Sequence, residues 1–511
     1  MTDIGARARR LTYLVHRWTG VAGCVLMALW FASGVVMLYV GYPKLTPWER
    51  LGALPALSAQ DCRVAPAALP RGGGPAVLTS IRGQPYYVAD DARGVPRAYS
   101  ATTGLPAGPV DASSAAAAAL AFLPGASIRG QDEIREDRWT HSRGLDPHRP
   151  LHRIQLQGPE PGTLYVSSAT GQVVMDAPLA QQRWNYVGAW LHWLYLFRNQ
   201  PVDPVWSWTV IVLSAFGTLS AGTGIVVGIW RWRFRGRYKS GSRSPYREGW
   251  MHWHHVMGLV FSGILFTWIF SGLMSMNPLG VFSPAHGRPD MAAYRGEPGD
   301  GNASVLQDPA GMLRALGDQG FRAVELQWRR LDGTPYVLAY DAAGASRLVR
   351  DGGHGQASIA AQWTASQLLP AARKLFAAPI SADRVLDRYD DYYYPRQPEA
   401  MNGAQWRGLP VLRLDFADAG ATRVYIDLRT GDVAASLDRS QRVGRWLFNF
   451  LHSWDTPALL RDGLLRDLAL IVLSLGGLIV SITGIVIGWR RLRVGFARLP
   501  VSQRKHRKAR Q

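Results

Sequence analysis

The chain has 511 residues, a formal net charge of +20 and a mean hydropathy of −0.06, so it is long enough for several domains. Its only cysteines, Cys24 and Cys62, exclude a disulfide framework and an iron–sulfur cluster built from this chain. The charge does not indicate nucleic-acid binding, because residues 1–17, 231–249 and 490–511 carry 20 of the Lys and Arg residues against two acidic ones. These basic stretches flank apolar segments, which is typical of the cytoplasmic ends of membrane helices lying against anionic lipid.

Four apolar segments, at residues 20–39, 205–230, 256–276 and 468–489, are each about as long as a bilayer core requires. All three basic stretches lie on the same side of these segments, so both termini are predicted to be cytoplasmic. Two long loops must then lie outside, in the periplasm of a Gram-negative host. The sequence therefore predicts an α-helical membrane protein with four transmembrane helices and two large α+β periplasmic domains.

The predicted organisation follows the chain. It comprises a cytoplasmic start with the first transmembrane helix (1–41), a first periplasmic domain (42–183), an interfacial helix with the second transmembrane helix (184–235), a cytoplasmic loop (236–255), the third transmembrane helix (256–276), a second periplasmic domain (277–440), an interfacial helix with the fourth transmembrane helix (441–490), and a basic cytoplasmic tail (491–511). Prolines such as Pro201 separate the interfacial stretch 184–197, rich in Trp and Tyr, from the second span.

Within the external domains, alternating apolar and polar residues predict strands at 153–156 and 413–416. The Ala-rich run after Asp111 predicts a helix that this aspartate caps, and its counterpart is predicted between residues 356 and 369. The cluster at 389–396 combines tyrosines with charged residues, and two interpretations stay open for it. It is either a surface that receives an external ligand or aromatic packing beneath a sheet.

Histidines recur at the edges of the apolar segments with fixed offsets. His16 and His254 are 238 residues apart, and His192 and His452 are 260 residues apart. The first offset also relates Ser33-Gly34 to Ser271-Gly272, and the second relates Thr223-Gly224 to Thr483-Gly484. Since both halves begin on the same side, the sequence predicts a parallel tandem repeat about a pseudo-two-fold axis along the membrane normal.

Four histidines in matched pairs predict axial ligands for two b-type haems per chain, because two imidazoles on facing helices can hold one haem iron. His16 and His254 would serve at the cytoplasmic edge, and His192 and His452 at the outer edge. His255 is an alternative to His254, since residues 251–255 hold three histidines and only the repeat favours His254. Ionisable residues in spanning helices are costly and usually functional, which favours ligation over a merely interfacial role.

The residues just described carry a family resemblance. They are Leu14 to Gly20 with Ser33-Gly34, the turn from Tyr425 to Gly431, His452, and Thr483-Gly484. With them the chain resembles the PepSY-associated transmembrane family of iron-regulated bacterial inner-membrane proteins, which includes ferric-siderophore reductases. The resemblance covers nearly the whole chain. It implies a haem-binding electron carrier with PepSY-like periplasmic domains, in which the four histidines match the ligand positions.

The expected function is therefore transfer of electrons across the inner membrane to a periplasmic ferric siderophore or other ferric chelate, which releases iron for uptake. No flavin or nicotinamide motif is present in the sequence, so quinol or a cytoplasmic reductase is the expected electron donor. The alternative is a non-redox, membrane-anchored PepSY regulator that binds a peptide or protease and uses the histidines structurally. Haem content separates the two hypotheses.

Overall fold

The computed structural model describes residues 3–69, 76–91, 93–200, 202–285, 287–297, 304–400 and 403–497. Pro201 and most of the predicted basic tail lie outside the described residues. The chain forms two compact units. The helical unit comprises Met1–Val40, Trp184–Ser283 and Val443–Gln511, and the β-rich unit comprises Gly41–Arg183 and Pro284–Arg442.

The helices are α1 Asp3–Met37, α2 Pro47–Gly52, α3 Ala112–Phe122, α4 Leu179–Val187, α5 Ala189–His192, α6 Pro204–Arg231, α7 Trp250–Val260, α8 Ser262–Ser275, α9 Met291–Arg295, α10 Pro309–Asp318, α11 Ala365–Ala372, α12 Arg439–Gly444, α13 Leu451–Ser453, α14 Pro457–Arg461 and α15 Gly463–Ala497. A π-helix covers Arg445–Phe450, and short 3₁₀ turns lie at Pro66–Ala68, Arg143–His148, Tyr195–Phe197, Pro278–Gly280 and Ser304–Gln307.

Three helices of the described chain are long and apolar enough to cross a membrane: α1, α6 and α15. Helices α6 and α15 contain the second and fourth predicted spans, and α1 covers the first predicted span up to Met37. The third predicted span is bent, because α7 and α8 meet at 70° around Phe261. The protein is thus a multi-pass membrane protein whose third apolar segment is a broken helix.

The helical unit packs around α1, which contacts α6, α15 and α5. Its buried core is formed by Met27 and Phe31 of α1 with Leu265 and Ile269 of α8. At the bend, the ring of Phe261 lies against Gly476 of α15, where a Cβ atom would come within 2.3 Å of that ring. Because Gly476 has no side chain, the ring of Phe261 fits against α15 at the break.

The interfacial stretch 184–197 is not the single helix that the sequence predicts. It contains the end of α4, the one-turn α5 and a 3₁₀ turn, with Gly188 outside helical geometry (ψ −112°) and Leu194 in the left-handed region (φ 55°). The stretch before the fourth span is likewise divided, into the π-helix and α13. The helix α5 ends at His192, and α13 contains His452.

The strands are β1 Val77–Ile81, β2 Gln84–Asp90, β3 Pro96–Ser100, β4 Ser127–Ile134, β5 Leu151–Gln157, β6 Gly162–Ser167, β7 Val173–Pro178, β8 Ala323–Leu331, β9 Thr334–Asp341, β10 Ser346–Asp351, β11 Ala357–Ala360, β12 Ile380–Leu386, β13 Val411–Phe416, β14 Arg423–Asp427 and β15 Val433–Leu437. They form an antiparallel seven-stranded sheet in the order β11-β10-β9-β8-β1-β2-β3, and two antiparallel four-stranded sheets, β4-β5-β6-β7 and β12-β13-β14-β15.

The two external loops share the seven-stranded sheet. Strand β1 of the first loop pairs with β8 of the second, with Val77 opposite Gln327 and Leu78 opposite Leu326. One buried core beneath this sheet includes Leu78 and Tyr87 from the first loop and Leu326 from the second. The two predicted domains thus fold as one unit. Each loop nevertheless contains three strands, a helix and four strands in that order. Strand β11 is additional in the second loop, and short helices precede the strands, α2 in the first loop and α9 and α10 in the second.

Most predicted elements of the loops are present. Strands β5 and β13 contain the predicted segments, and α3 begins after Asp111, whose side chain accepts a hydrogen bond from the Ser114 amide. The helix predicted between residues 356 and 369 is partly wrong. That range begins with β11, which pairs with β10 at the sheet edge, and α11 starts only at Ala365. Pairing with a neighbouring strand overrides local helix propensity there.

Candidate functional site

Two of the predicted histidines face each other within the helical unit. His16 of α1 and His254 of α7 have ring centroids 6.3 Å apart and ring planes tilted by 32°. Nδ1 of His16 lies 3.1 Å from the Ser220 carbonyl oxygen, and Nδ1 of His254 lies 3.2 Å from that of Val480. We call these two histidines the inner pair.

The other two predicted histidines form a second pair. The rings of His192, at the end of α5, and His452, in α13, have centroids 6.1 Å apart and are nearly perpendicular, at 72°. Nδ1 of His192 lies 3.0 Å from Oγ of Ser33, and Nδ1 of His452 lies 3.0 Å from Oγ of Ser271. We call His192 and His452 the outer pair.

The partners of Nδ1 determine which ring nitrogen carries the proton. A backbone carbonyl can only accept, so Nδ1 must donate in both inner histidines. In the outer pair, the Ser33 hydroxyl donates to the Leu29 carbonyl at 2.6 Å and the Ser271 hydroxyl to the Trp268 carbonyl at 3.0 Å. Each hydroxyl therefore accepts from its imidazole. All four neutral rings carry the proton on Nδ1, which leaves the lone pair on Nε2.

This protonation state is the one that a histidine needs to bind a metal through Nε2. A metal held in line by two imidazole nitrogens at about 2 Å each would place the ring centroids roughly 6 Å apart. The observed separations of 6.3 Å and 6.1 Å agree with that value. The separations and the free Nε2 lone pairs are compatible with one metal ion between the rings of each pair, and two imidazoles are a donor set that fits the iron of a b-type haem.

His255, the alternative to His254, has a different environment. Its Nε2 lies 3.0 Å from the Gly228 carbonyl oxygen, and its Nδ1 lies 2.8 Å from the Ser244 hydroxyl. Nε2 must donate to the carbonyl, so Nδ1 accepts from the hydroxyl, and neither nitrogen has a free lone pair. The ring of His255 therefore joins two segments of the protein, and the geometry favours His254 as a metal ligand.

Glycines adjoin all four rings. A Cβ atom added at Gly34 or Gly272 would lie 3.7 Å or 3.8 Å from the nearest ring atom of the outer pair. At the inner pair the space beside the two rings differs. A Cβ atom at Gly484 would lie 3.6 Å from the His254 ring, whereas one at Gly224 would lie 2.7 Å from the His16 ring. Only the contact at Gly224 is too close for any side chain to be added without displacement.

The tyrosine cluster 389–396 contributes mainly to packing within the β-rich unit. Tyr393 is fully buried and stacks on Tyr425 of β14, with ring centroids 5.1 Å apart and an interplanar angle of 13°. The Tyr425 hydroxyl donates to Asp390 at 2.7 Å, and the Tyr393 hydroxyl donates to the Gly408 carbonyl at 2.8 Å. These contacts favour the interpretation of the cluster as packing beneath a sheet.

Residues 13–328 match the family described as PepSY-associated TM region. The chain belongs to this family. The match covers more than half of the 511 residues and extends from α1 into β8, so it contains His16, His192 and His254 but not His452. No curated protein matches the chain.

Sequence reasoning identified the histidines but not the groups that orient them. The offsets of 238 and 260 that pair the histidines also relate Ser33 to Ser271 and Ser220 to Val480. Both serine hydroxyls and both carbonyls bind Nδ1 of a matched histidine. The serines stood in the repeated motif and could have been proposed as partners, whereas a backbone carbonyl leaves no signal in a sequence.

Proposed function

We propose that this member of the PepSY-associated TM family is a haem-containing electron-transfer protein of a bacterial inner membrane, and that it reduces a ferric siderophore or another ferric chelate in the periplasm. The observation that supports this proposal best is that four histidines have the same spacing in pairs and the same hydrogen bonding at Nδ1. They form two pairs at 6.3 Å and 6.1 Å, and each Nδ1 donates to the protein. A lone structural histidine needs neither a partner ring at that spacing nor an unused Nε2.

In this proposal the inner pair holds one b-type haem and the outer pair holds a second. A haem held by two of these histidines would supply one-electron transfer. Ser33, Ser271 and the carbonyls of Ser220 and Val480 fix the imidazole tautomers and orient the rings, which is the usual role of groups behind metal-bound histidine.

The direction of transfer follows from the distribution of charge along the chain. The basic stretches at 1–17 and 231–249 adjoin the inner pair in sequence, which places that pair on the cytoplasmic side in this proposal. The outer pair then lies on the periplasmic side, where the ferric chelate is met. Quinol or a cytoplasmic reductase is the proposed electron donor. The four proposed spans form two halves of two spans each, related by a pseudo-two-fold axis.

The proposal is tested by the haem content of the detergent-purified full chain, measured as a pyridine haemochrome, together with its reduced-minus-oxidised spectrum. The expected result is two b-type haems per chain. His452→Ala should remove the outer haem and keep the inner one, whereas His252→Ala, in the same stretch as His254, should keep both. Protein without haem from haem-replete cells would contradict the proposal and favour the non-redox regulator.

A second measurement tests the acceptor. Wild-type protein, reduced under anaerobic conditions, should be reoxidised on mixing with a ferric siderophore, and ferrous iron should be captured by a chromogenic chelator. His452→Ala should lower the reoxidation rate by at least tenfold if the outer pair meets the acceptor. Full reoxidation of this variant at the wild-type rate would contradict that role for the outer pair.

A further inference from the structure

The backbone just after each outer histidine has the same unusual conformation. Two residues beyond His192, Leu194 lies in the left-handed region at φ 55°, and two residues beyond His452, Trp454 lies there at φ 50°. The offset of 260 that relates the two histidines also relates these two residues. Residues with a side chain rarely adopt this conformation, so the surrounding structure must hold it in place.

The left-handed residue ends the short helix that carries the histidine, which leaves carbonyl groups without a helical partner. In each half, a side chain from the start of the following span donates to one of these carbonyls. Nε1 of Trp206, in α6, donates to the Trp193 carbonyl at 2.7 Å. Nε of Arg466, in α15, donates to the Ser453 carbonyl at 2.9 Å. Both carbonyls belong to the residue directly after the histidine, and the two donors are again 260 residues apart.

The two donors make this contact although their side chains differ in chemistry. An indole and a guanidinium have in common here an N–H that reaches the equivalent carbonyl. The charge of Arg466 is costly in its position, because the residue is only 5% exposed, and Asp467 balances it at 2.8 Å. The feature that both halves retain is therefore the hydrogen bond behind the histidine and not the type of residue that donates it.

The inner pair is built differently. His16 lies within α1 and His254 within α7, so the hydrogen bonds of a continuous helix hold the backbone of both residues. The planes of the inner rings are tilted by 32°, whereas those of the outer rings are tilted by 72°. The donors from the following spans thus accompany the pair whose backbone is interrupted and whose rings are nearly perpendicular.

We propose that Trp206 and Arg466 are positioning residues of the outer pair. Each fixes the backbone behind its histidine through the carbonyl of the next residue, while a serine hydroxyl holds the ring at Nδ1. With the backbone and the ring both held, the two imidazoles keep the angle of 72° between their planes. This inference rests on the proposed function, since the angle is measured on the haem that the outer pair would hold.

The test is the EPR spectrum of the oxidised, detergent-purified full chain, together with its haem count. The spectrum of a ferric haem with two imidazole ligands depends on the angle between the ring planes. Rings at 32° and at 72° should therefore give two separate signals. His452→Ala assigns the outer signal, because it should remove only that one. Absence of haem from the wild-type protein would contradict both the proposed function and this inference.

Two variants remove the donors one at a time. Trp206→Phe removes the N–H but keeps a ring against Tyr195, whose centroid lies 5.5 Å from that of Trp206. Arg466→Met removes the donor of the second half. In each variant the outer signal should shift while the inner signal stays in place. Haem titration of the apo-protein should also show several-fold weaker binding at the outer site, because groups behind a metal-bound histidine orient its ring.

Three further variants separate positioning from charge and from general stability. Arg466→Lys keeps a cation with N–H donors, and Asp467→Asn removes the ion pair but keeps the donor to Ser453, so both should keep the wild-type outer signal. Trp208→Phe, at an exposed position of the same helix, is the matched control for Trp206→Phe. Wild-type haem content with an unshifted outer signal in both Trp206→Phe and Arg466→Met would overturn the positioning role and leave the proposed function intact.

Discussion

The hydroxyl of Ser33 lies 3.0 Å from Nδ1 of His192, and the same contact at the same distance joins Ser271 to His452. Both hydroxyls already donate to carbonyls of their own helices, so each can only accept from the imidazole. Two serines 238 residues apart thus impose the same tautomer on two histidines 260 residues apart. This relationship, together with the inner carbonyls, makes the haem proposal testable at residues that would not touch the cofactor.

Ser33→Ala and Ser271→Ala should therefore weaken haem binding at the outer pair. Without the hydroxyl, the Nδ1–H loses its acceptor and the ring loses a fixed orientation. Removal of such a partner usually costs about 10–100-fold in metal affinity. Haem titration of the apo-protein measures the effect. Ser262→Ala is a suitable control, because among the residues that the structure describes the Ser262 hydroxyl bonds only to the Leu259 carbonyl. Unchanged outer-site affinity in both serine variants would refute this role.

The inner pair offers a matched prediction with two threonines. The Thr483 hydroxyl lies 3.0 Å from Nδ1 of His254. Within the described part of the chain, the Thr223 hydroxyl bonds only to carbonyls of its own helix, those of Leu219 and Ser220. Thr483→Val should weaken inner-site haem binding several-fold, less than the serine variants affect the outer site, because His254 keeps the Val480 carbonyl. Thr223→Val should have no effect. Equal effects of the two substitutions would contradict the assignment.

Two glycines beside the inner pair, Gly224 and Gly484, test how much space the histidine rings need. A Cβ atom at Gly224 would lie 2.7 Å from Cε1 of His16, but one at Gly484 would lie 3.6 Å from Cε1 of His254. Gly224→Ala should displace the His16 ring, lower occupancy of the inner haem and cost about 1–3 kcal/mol of stability through overpacking. Gly484→Ala should keep full occupancy. Haem counts and thermal unfolding of both variants provide the check, and normal occupancy in Gly224→Ala would show that the ring tolerates the contact.

The sequence was sufficient to locate what depends on composition and spacing. Apolar length located α1, α6 and α15, and the offsets located His16, His192, His254 and His452 before any geometry was available. The structure then brought these histidines into two pairs. Their roles as ligands remain a prediction, since only haem content measures ligation.

What the sequence could not reveal depends on contacts between distant segments. The pairing of β1 with β8, which joins the two external loops in one sheet, has no local signal, because either strand pattern is compatible with many partners. The 70° bend at Phe261 adjoins Ser262-Gly263, the kind of pair at which helices can kink. The pair does not by itself predict a break, because the same dipeptide also lies inside continuous helix at Ser271-Gly272. The short strand β11 was mistaken for helix because its sheet neighbour lies outside the local window.

An ion pair with a fully buried carboxylate and a partly exposed arginine should be important for the stability of the β-rich unit. Glu325 of β8 is fully buried and accepts from Arg50 of α2 at 3.0 Å. Arg50→Met should leave this carboxylate without its cation and cost about 3–5 kcal/mol. Arg97→Met is the control. Its pair with Asp91 is exposed, so it should cost less than about 1 kcal/mol. Similar unfolding midpoints for the two variants would show that Glu325 does not need Arg50.

Asp176 should make the stability of the β-rich unit depend on pH. Burial in β7, reinforced by the negative charges of Glu49 and Glu160, raises the pKa of Asp176 to about 7. In the unfolded chain the carboxyl returns to its usual pKa of about 3.9. Because the folded pKa is the higher of the two, the folded state favours the protonated form. The free energy of unfolding should therefore fall as pH rises from about 4 through 7, and it should level off above that value.

Asp176→Asn isolates this contribution, since the amide has nearly the same shape and does not ionise. Thermal unfolding of the full chain in detergent between pH 5 and pH 8 should show a smaller decline for the variant than for wild type, and a higher midpoint at pH 8. Glu160→Gln removes one of the charges that raise the pKa, so it should shift the wild-type decline to lower pH without abolishing it. Parallel pH profiles for wild type and Asp176→Asn would mean that Asp176 ionises alike in the folded and unfolded chain.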